Sequence, residues 1–154
     1  MDLGDLLTQN GVFAALRVKD KKQALLMLAQ RAAQVTGHEE RVIFDLLLQR
    51  ERLGSTGVGR GIAIPHARVA GLSHIATVFA QLAEPIDFDA PDGEPVDLVF
   101  VLLAPEHAGA DHLKALARIS RVLRDTVTLE KLRSGRDRAA LHAVLTEPLA
   151  SHAA

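Results

Sequence analysis

The stretch RERLGSTGVGRGIAIPHA, residues 50–67, contains the features that decide the fold. Glycines at positions 54, 57, 59 and 61 give the backbone freedom that a loop needs. The apolar residues 62–64 predict a short strand that Pro65 ends, and His66 follows at once. Together they predict a glycine-rich loop and a short strand that leads to a histidine.

Two helices are predicted before this stretch. The first follows the N-cap Asp20 and ends at Gly37, with apolar side chains three and four residues apart on one face. The second covers about residues 39–53, and its apolar stripe includes Ile43. Seven residues further along this stripe is Arg50, so we expect Arg50 to point toward the protein and to need an anionic or hydrogen-bonding partner.

The remaining segments predict an α/β domain with a mixed sheet. Residues 96–103 are nearly all apolar, which is typical of a central strand covered on both faces. Other strands are expected at 12–18 and 75–82, with a possible short one at 86–88. Helices are predicted at about 111–124, with Asp111 as a cap candidate and Leu113 on the apolar face, and near 128–133 and 137–145.

Composition excludes several classes of function. The 154 residues fit one domain, and the absence of Cys removes disulfide and thiolate chemistry. A net charge of −1 and 3% aromatic residues argue against nucleic-acid binding. The longest apolar run is far shorter than the roughly 20 residues of a membrane-spanning helix, and the N-terminus is acidic, unlike a secretion signal. We expect a cytoplasmic protein without direct membrane insertion.

His66 is the strongest candidate for chemistry. It follows a strand and a proline, which constrain the backbone, and a neutral imidazole with a pKa of about 6.5 is a good nucleophile near pH 7. The alternative is a loop histidine without a role. The glycine loop and Arg50 just upstream favour the functional reading.

His112 is the second candidate, in the first turn of the predicted helix at 111–124. Free amides at a helix start favour an anion, so His112 could donate a hydrogen bond to one. On spacing alone, the better reading is a half-buried residue of the first turn. The other five histidines are expected to be surface residues: His38, His74, His107, His142 and His152.

The glycine loop is not a nucleotide-binding motif. It lacks the lysine and hydroxyl of a P-loop, and it follows a helix and precedes a strand, the reverse of a dinucleotide fingerprint. It is either a tight connector or a segment whose amides and Ser55 and Thr56 hydroxyls surround a small anion. No His-Glu-x-x-His or i, i+4 histidine pair is present, so no metal or cofactor is expected.

Residues 50–67, with QLAEPIDF at 81–88, PVDLVFVLLA at 95–104 and His112, resemble the IIA domains of the fructose/mannitol class of the bacterial phosphoenolpyruvate-dependent phosphotransferase system. Within that class the sequence looks most like the nitrogen-regulatory members. The resemblance covers nearly the whole chain. It implies one α/β domain at residues 3–146, with a mixed sheet of about five strands flanked by helices, and a frayed tail at 147–154.

The resemblance also implies the chemistry. His66 matches the histidine that accepts a phosphoryl group from a phosphohistidine on an HPr-like carrier, with phosphoenolpyruvate and enzyme I upstream. His112 and Arg50 match the family's second histidine and its arginine. With this assignment, Ser55, Thr56 and Gly57 are predicted to bind the phosphoryl group, without a cofactor or metal. Ala67 and Arg60 depart mildly from the family pattern.

The favoured function is a phosphocarrier whose phosphorylation state regulates partner proteins such as transporters or sensor kinases. Two alternatives stay open. The chain could be a free-standing fructose- or mannitol-type transport subunit that passes the phosphoryl group to a IIB domain, or a regulatory module that only binds.

Overall fold

The central strand of the sheet is β6 (Val96–Pro105), in a computed structural model that describes residues 2–147. β5 (Ala76–Ile86) runs antiparallel along one edge of β6, and β1 (Val12–Leu16) lies parallel beside β5. Along the other edge of β6, β3 (Ile62–Ala63) and then β4 (His66–Val69) pair in parallel, and β2 (Gly57–Gly59) pairs antiparallel with β3. Within residues 2–147 the sheet therefore has six strands and is mixed.

Helices cover both faces of this sheet. One apolar cluster packs α2 and α3 against one face, and a second packs α1 and α4–α6 against the other. The helices are α1 (Leu3–Leu6), α2 (Lys21–Thr36), α3 (Glu40–Leu53), α4 (Ala110–Arg124), α5 (Thr126–Ser134) and α6 (Arg138–Thr146), with a 3-10 turn at Gln9–Gly11. The predicted α/β architecture with a mixed sheet is confirmed.

Segments with strong local signals fold as predicted. The Asp20 side chain caps α2 by accepting from the Gln23 amide at 2.8 Å, and Gly37 ends the helix in the left-handed region at φ 78°. Buried residues fill β6 on both faces, as expected for a central strand. From residue 148 onward, the tail predicted at 147–154 lies outside the described residues.

Several local predictions are wrong. The glycine loop contains β2, and beyond Pro65 the chain forms a further strand, β4, which begins at His66 and was not predicted. The segment at 86–88 is not a separate strand, because β5 runs on to Ile86. In α4 the buried face starts at His112, while Leu113 is 66% exposed, and Gly109 takes the N-cap position expected for Asp111.

No helix within residues 2–147 combines the length and apolar character needed to cross a membrane.

Candidate active site

His66 is fixed by the pairing of its strand with β6 and by one hydrogen bond from its ring to the backbone. It is the first residue of β4 and lies beside Leu102 of β6, whose amide donates to the Pro65 carbonyl at 2.9 Å. The His66 Nδ1 lies 2.9 Å from the carbonyl oxygen of Ile64. A carbonyl can only accept, so Nδ1 carries the proton and Nε2 of the neutral ring keeps its lone pair. The imidazole thus presents Nε2 as a nucleophile.

His112 lies edge-on to His66. The two ring centroids are 5.8 Å apart and the rings are inclined at 75°. His112 is only 7% exposed, and its Nδ1 is sealed from solvent with no hydrogen-bond partner among residues 2–147. Burial lowers the pKa of His112 most, and the positive charges of Arg68 and of the His66 ring when it is protonated lower it further. His112 is therefore neutral near pH 7.

Arg68 adds positive charge beside this histidine pair. It lies two residues after His66 on β4, so both side chains leave the same face of the strand. Its Nη1 donates to the Glu106 carbonyl at 3.2 Å, which holds the guanidinium near the start of α4. The sequence alone placed Arg68 near the histidine but did not show that its charge reaches His112.

Arg50 does not occupy the buried position predicted for it. It is half-buried, and its Nη1 donates to the Gly54 carbonyl at 2.8 Å, where α3 ends. In the part of the chain that the structure describes, no hydrogen bond or ring contact joins Arg50 to His66 or His112. The buried residue at this end of α3 is its neighbour Glu51, which is 6% exposed.

Glu51 organises the start of the glycine loop. Its Oε1 accepts the Thr56 hydroxyl at 2.6 Å, and its Oε2 accepts the Thr56 amide at 3.0 Å. Lys21 donates to the same Oε2 at 3.1 Å and also contacts the Asp89 carboxylate at 2.9 Å. The sequence analysis missed Glu51, although it lies one helical turn after the buried Leu47.

The predicted phosphate-binding donors are used within the fold. The Ser55 hydroxyl donates to the Phe88 carbonyl at 2.7 Å, and the Gly57 amide donates to Ser55 Oγ at 3.0 Å. Both donors of Thr56 go to Glu51. The Thr56 carbonyl accepts the Ile64 amide at 3.0 Å, so this loop fixes the residue that orients His66. Phosphate binding by the loop stays a prediction. It would require Ser55, Thr56 or Gly57 to give up a hydrogen bond within the protein for one to the phosphoryl group.

No metal site accompanies the histidine pair in the part of the chain that the structure describes. Over residues 2–147 no three His, Asp or Glu side chains gather as metal ligands. His142 was expected at the surface, but it is half-buried and its Nε2 lies 2.9 Å from the Leu7 carbonyl. His152 lies outside the described residues.

The fold and the site define a class of protein, a small α/β domain that presents a nucleophilic imidazole beside a second, neutral one. The chain belongs to the family described as phosphoenolpyruvate-dependent sugar phosphotransferase system, EIIA 2, which matches residues 5–147. The resemblance found in the sequence is confirmed.

Similar proteins include nitrogen-regulatory and fructose-specific members. The chain is 55% identical over 153 residues to the nitrogen regulatory protein of Bradyrhizobium diazoefficiens, covering 99% of this chain and 100% of that protein. It is 42% identical over 123 residues to the fructose-specific EIIA component of Haloferax volcanii, covering 80% and 79%. The crystal structure of the nitrogen regulatory protein IIA-Ntr from Neisseria meningitidis has a TM-score of 0.88 at 34% identity, covering 94% and 99%.

Proposed function

We propose that the chain is a phosphocarrier that accepts a phosphoryl group on His66 Nε2 and regulates partner proteins according to its phosphorylation state. The observation that carries this proposal is the Nδ1 hydrogen bond to Ile64, which leaves Nε2 unprotonated and fixed in direction beside His112. The donor is a phosphohistidine on an HPr-like protein, fed by phosphoenolpyruvate and enzyme I. Similarity to nitrogen-regulatory proteins supports the regulatory output.

The transfer needs one nucleophile and one leaving group. His66 Nε2 attacks phosphorus in line, the new N–P bond forms as the donor's N–P bond breaks, and the donor imidazole leaves with its electron pair. Such a transition state is loose and spreads negative charge over three oxygens, so positioning and electrostatics supply most of the catalysis. The donor and acceptor atoms are both imidazole nitrogens of similar basicity, so the free-energy change of the transfer is small and the reaction is readily reversible.

His112 and Arg68 can stabilise the negative charge that develops on the phosphoryl oxygens during the transfer. The His112 Nδ1 is sealed, so Nε2 is the nitrogen left to donate a hydrogen bond to a phosphoryl oxygen. Because His112 is neutral, it does not repel a protonated donor or His66 itself. Arg68 supplies positive charge from the same strand, and Arg50 orients the end of α3 through the Gly54 carbonyl.

Regulation follows from the charge of the product. A phosphoryl group adds up to two negative charges next to the His112 ring and close to the positive charge of Arg68. Beside it, Leu113 exposes 66% of its surface to solvent and offers an apolar contact to a partner. A partner that buries Leu113 against this surface would therefore be released or recruited when His66 is phosphorylated.

Intact-mass measurement tests the acceptor. The protein is incubated with phosphoenolpyruvate, enzyme I and the HPr-like carrier of its own organism. We expect one acid-labile phosphoryl group on the wild type and on His107→Ala, whose side chain is exposed, and none on His66→Ala. Equal labelling of His66→Ala would reject His66 as acceptor. An unlabelled wild type, in a mixture that labels a control acceptor, would favour a module that only binds.

Similarity to a fructose-specific EIIA component supports a second candidate function, transfer onward to a IIB domain. The phosphorylated protein is mixed with purified IIB domains from the same organism, and loss of its phosphoryl group is followed by mass. Rapid, complete loss to one IIB domain would favour the transport role. Retention, together with a partner that binds only one of the two forms, would favour the regulatory role.

A further inference from the structure

A cleft at the β1 edge of the sheet lies apart from the histidine pair. It has a volume of about 350 Å³ and lies between the segment before β1, the second half of α2 and the start of α6. Its lining residues are Thr8, Asn10, Arg31, Gln34, Val35 and Arg138. β1 is three strand positions away from β4 in the sheet, about 14 Å at the usual spacing, so this cleft is not part of the His66 site.

Two arginines are fixed at this cleft by neighbouring carbonyls. Arg31 Nη1 donates to the Asn10 carbonyl at 2.7 Å, and Arg138 Nε donates to the Val12 carbonyl at 3.1 Å. The Arg31 guanidinium also lies 4.0 Å from the centre of the Phe13 ring. Because the two carbonyls are two residues apart, the anchors bring both guanidinium groups to one place and restrict their motion.

Among residues 2–147, no acidic side chain forms a salt bridge with either arginine of this pair, although six salt bridges form elsewhere in that range. Burial lowers the pKa of Arg31, and the charge of Arg138 lowers it further, so each guanidinium lies within reach of the other's field. Two like charges held together are costly unless an anion joins them.

We propose that this cleft binds a small anion that carries two or more phosphate or carboxylate groups. Each arginine uses one N–H group on its carbonyl anchor and keeps others for a planar, two-point contact with an anionic group. The side-chain amides of Asn10 and Gln34 add donors between them. A volume of about 350 Å³ falls within the range of small-molecule sites.

The competing explanation is protection of the sheet edge. β1 is an edge strand of the sheet beside β5, and the two arginines cover the Val12 carbonyl of β1 and the Asn10 carbonyl just before it, which discourages pairing with another chain. Edge protection requires only the two anchoring hydrogen bonds. It gives no reason for a lining of polar and cationic groups around an open cleft, and it predicts no saturable ligand.

Calorimetric titration separates the two explanations. Pyrophosphate and citrate are the probes, with inorganic phosphate as a single-group comparison, at a constant ionic strength of about 0.15 M so that screening is equal. The variants are Arg31→Gln, Arg138→Gln and the control Arg41→Gln, which removes the same charge from an exposed position on α3. Circular dichroism verifies that each variant is folded.

We expect one pyrophosphate or citrate per chain, with inorganic phosphate binding more weakly. Each cleft variant should raise Kd about tenfold, the usual effect of losing a hydrogen bond to a charged group, and Arg41→Gln should leave Kd unchanged. In NMR spectra the side-chain amide signals of Asn10 and Gln34 should shift. Pyrophosphate binding alone would identify a phosphate ligand, and citrate binding alone a carboxylate ligand.

Three results would overturn the proposal. The first is no saturable binding of either probe to the wild type. The second is equal weakening by Arg41→Gln, which would indicate general surface attraction. The third is undiminished binding to a folded Arg138→Gln variant. Arg138 is exposed, so this variant tests the site even if Arg31→Gln does not fold.

Discussion

The two carboxylate oxygens of Glu51 are both occupied by Thr56, one accepting its hydroxyl at 2.6 Å and the other its amide at 3.0 Å. The pair is buried, with Glu51 6% and Thr56 5% exposed. Thr56 in turn accepts the Ile64 amide, and the Ile64 carbonyl orients the His66 ring. A buried charge on α3 is thus linked by three successive contacts to the tautomer of the proposed phosphoryl acceptor.

Glu51→Gln should destabilise the protein and disturb His66. The neutral amide has the same shape, but its NH2 group faces the Thr56 and Lys21 donors, so at least one buried hydrogen bond is lost. We expect the free energy of unfolding in urea to fall by about 2–3 kcal/mol. The ¹⁵N shifts of the folded variant should show His66 protonated partly on Nε2, with slower phosphoryl acceptance.

The matched control is Glu84→Gln, an exposed position on β5, which should change stability by no more than about 0.5 kcal/mol. Glu51 would have a role in stability alone if Glu51→Gln unfolds at a lower urea concentration but keeps the wild-type His66 tautomer and the wild-type rate of phosphoryl acceptance.

Gly57→Ala should destabilise the loop by direct collision. An added Cβ would lie 2.8 Å from the Ala90 Cβ and 3.0 Å from its Cα, closer than carbon atoms tolerate. The φ angle of Gly57 is not positive, so the cost is steric and not conformational. Overpacking of this kind costs about 1–3 kcal/mol, which urea unfolding measures.

The double variant Gly57→Ala/Ala90→Gly tests that reason. It removes the nearer of the two clashes and should recover part of the loss. Gly4→Ala is the control, since its nearest neighbour would be 3.8 Å away. No recovery in the double variant would contradict the steric explanation.

Local signals explain which elements could be predicted from the sequence. α2 has its cap at Asp20, its stop at Gly37 and a regular apolar face, and β6 is apolar throughout, so each is specified within its own segment. β2 has no such signal, because two of its three residues are glycines. It exists because it pairs with β3 across a turn in which Arg60 and Gly61 both have positive φ, 61° and 80°.

The predictions at the site were wrong where packing against other parts of the chain, and not the local sequence, decides which side chain is buried. Extending the α3 stripe by seven residues from Ile43 led to Arg50, but the buried residue at this end is Glu51, which lies one helical turn after the buried Leu47. Glu51 is buried because Lys21, thirty residues earlier, compensates its charge. His112 is buried because it lies on the same face of α4 as the buried Ala115 and Ile119, whereas Leu113 lies outside that face.

The buried His112 should make stability depend on pH. In the unfolded chain His112 takes up a proton near its ordinary pKa of 6.5, whereas in the folded protein burial lowers that pKa. Between these two values the unfolded state binds more protons, so folding loses stability as pH falls below about 6.5 toward the lowered pKa. His112→Gln has no imidazole at this position to take up a proton on unfolding. Its free energy of unfolding should therefore decline less than that of the wild type as pH falls.

Urea unfolding at pH steps from 7.5 to about 5 measures the difference between the two proteins. His107→Gln, which removes an imidazole from an exposed position, is the control for the loss of a histidine as such. A pH-independent difference between His112→Gln and the wild type would mean that the pKa of His112 is not lowered by folding.

Phosphorylation of His66 should raise the pKa of His112 and oppose the lowering that burial causes. The ring centroids are 5.8 Å apart, so a phosphoryl group on His66 Nε2 would place negative charge close to His112, whereas the unphosphorylated His66 ring lowers the pKa of His112 only when it is protonated and positive. A nearby negative charge favours the protonated imidazole, so the pKa of His112 should rise on phosphorylation. NMR titration of the His112 ring signals in the phosphorylated and unphosphorylated forms measures the change. Unchanged titration of His112 would place the phosphoryl group away from its ring and would remove its proposed role as hydrogen-bond donor.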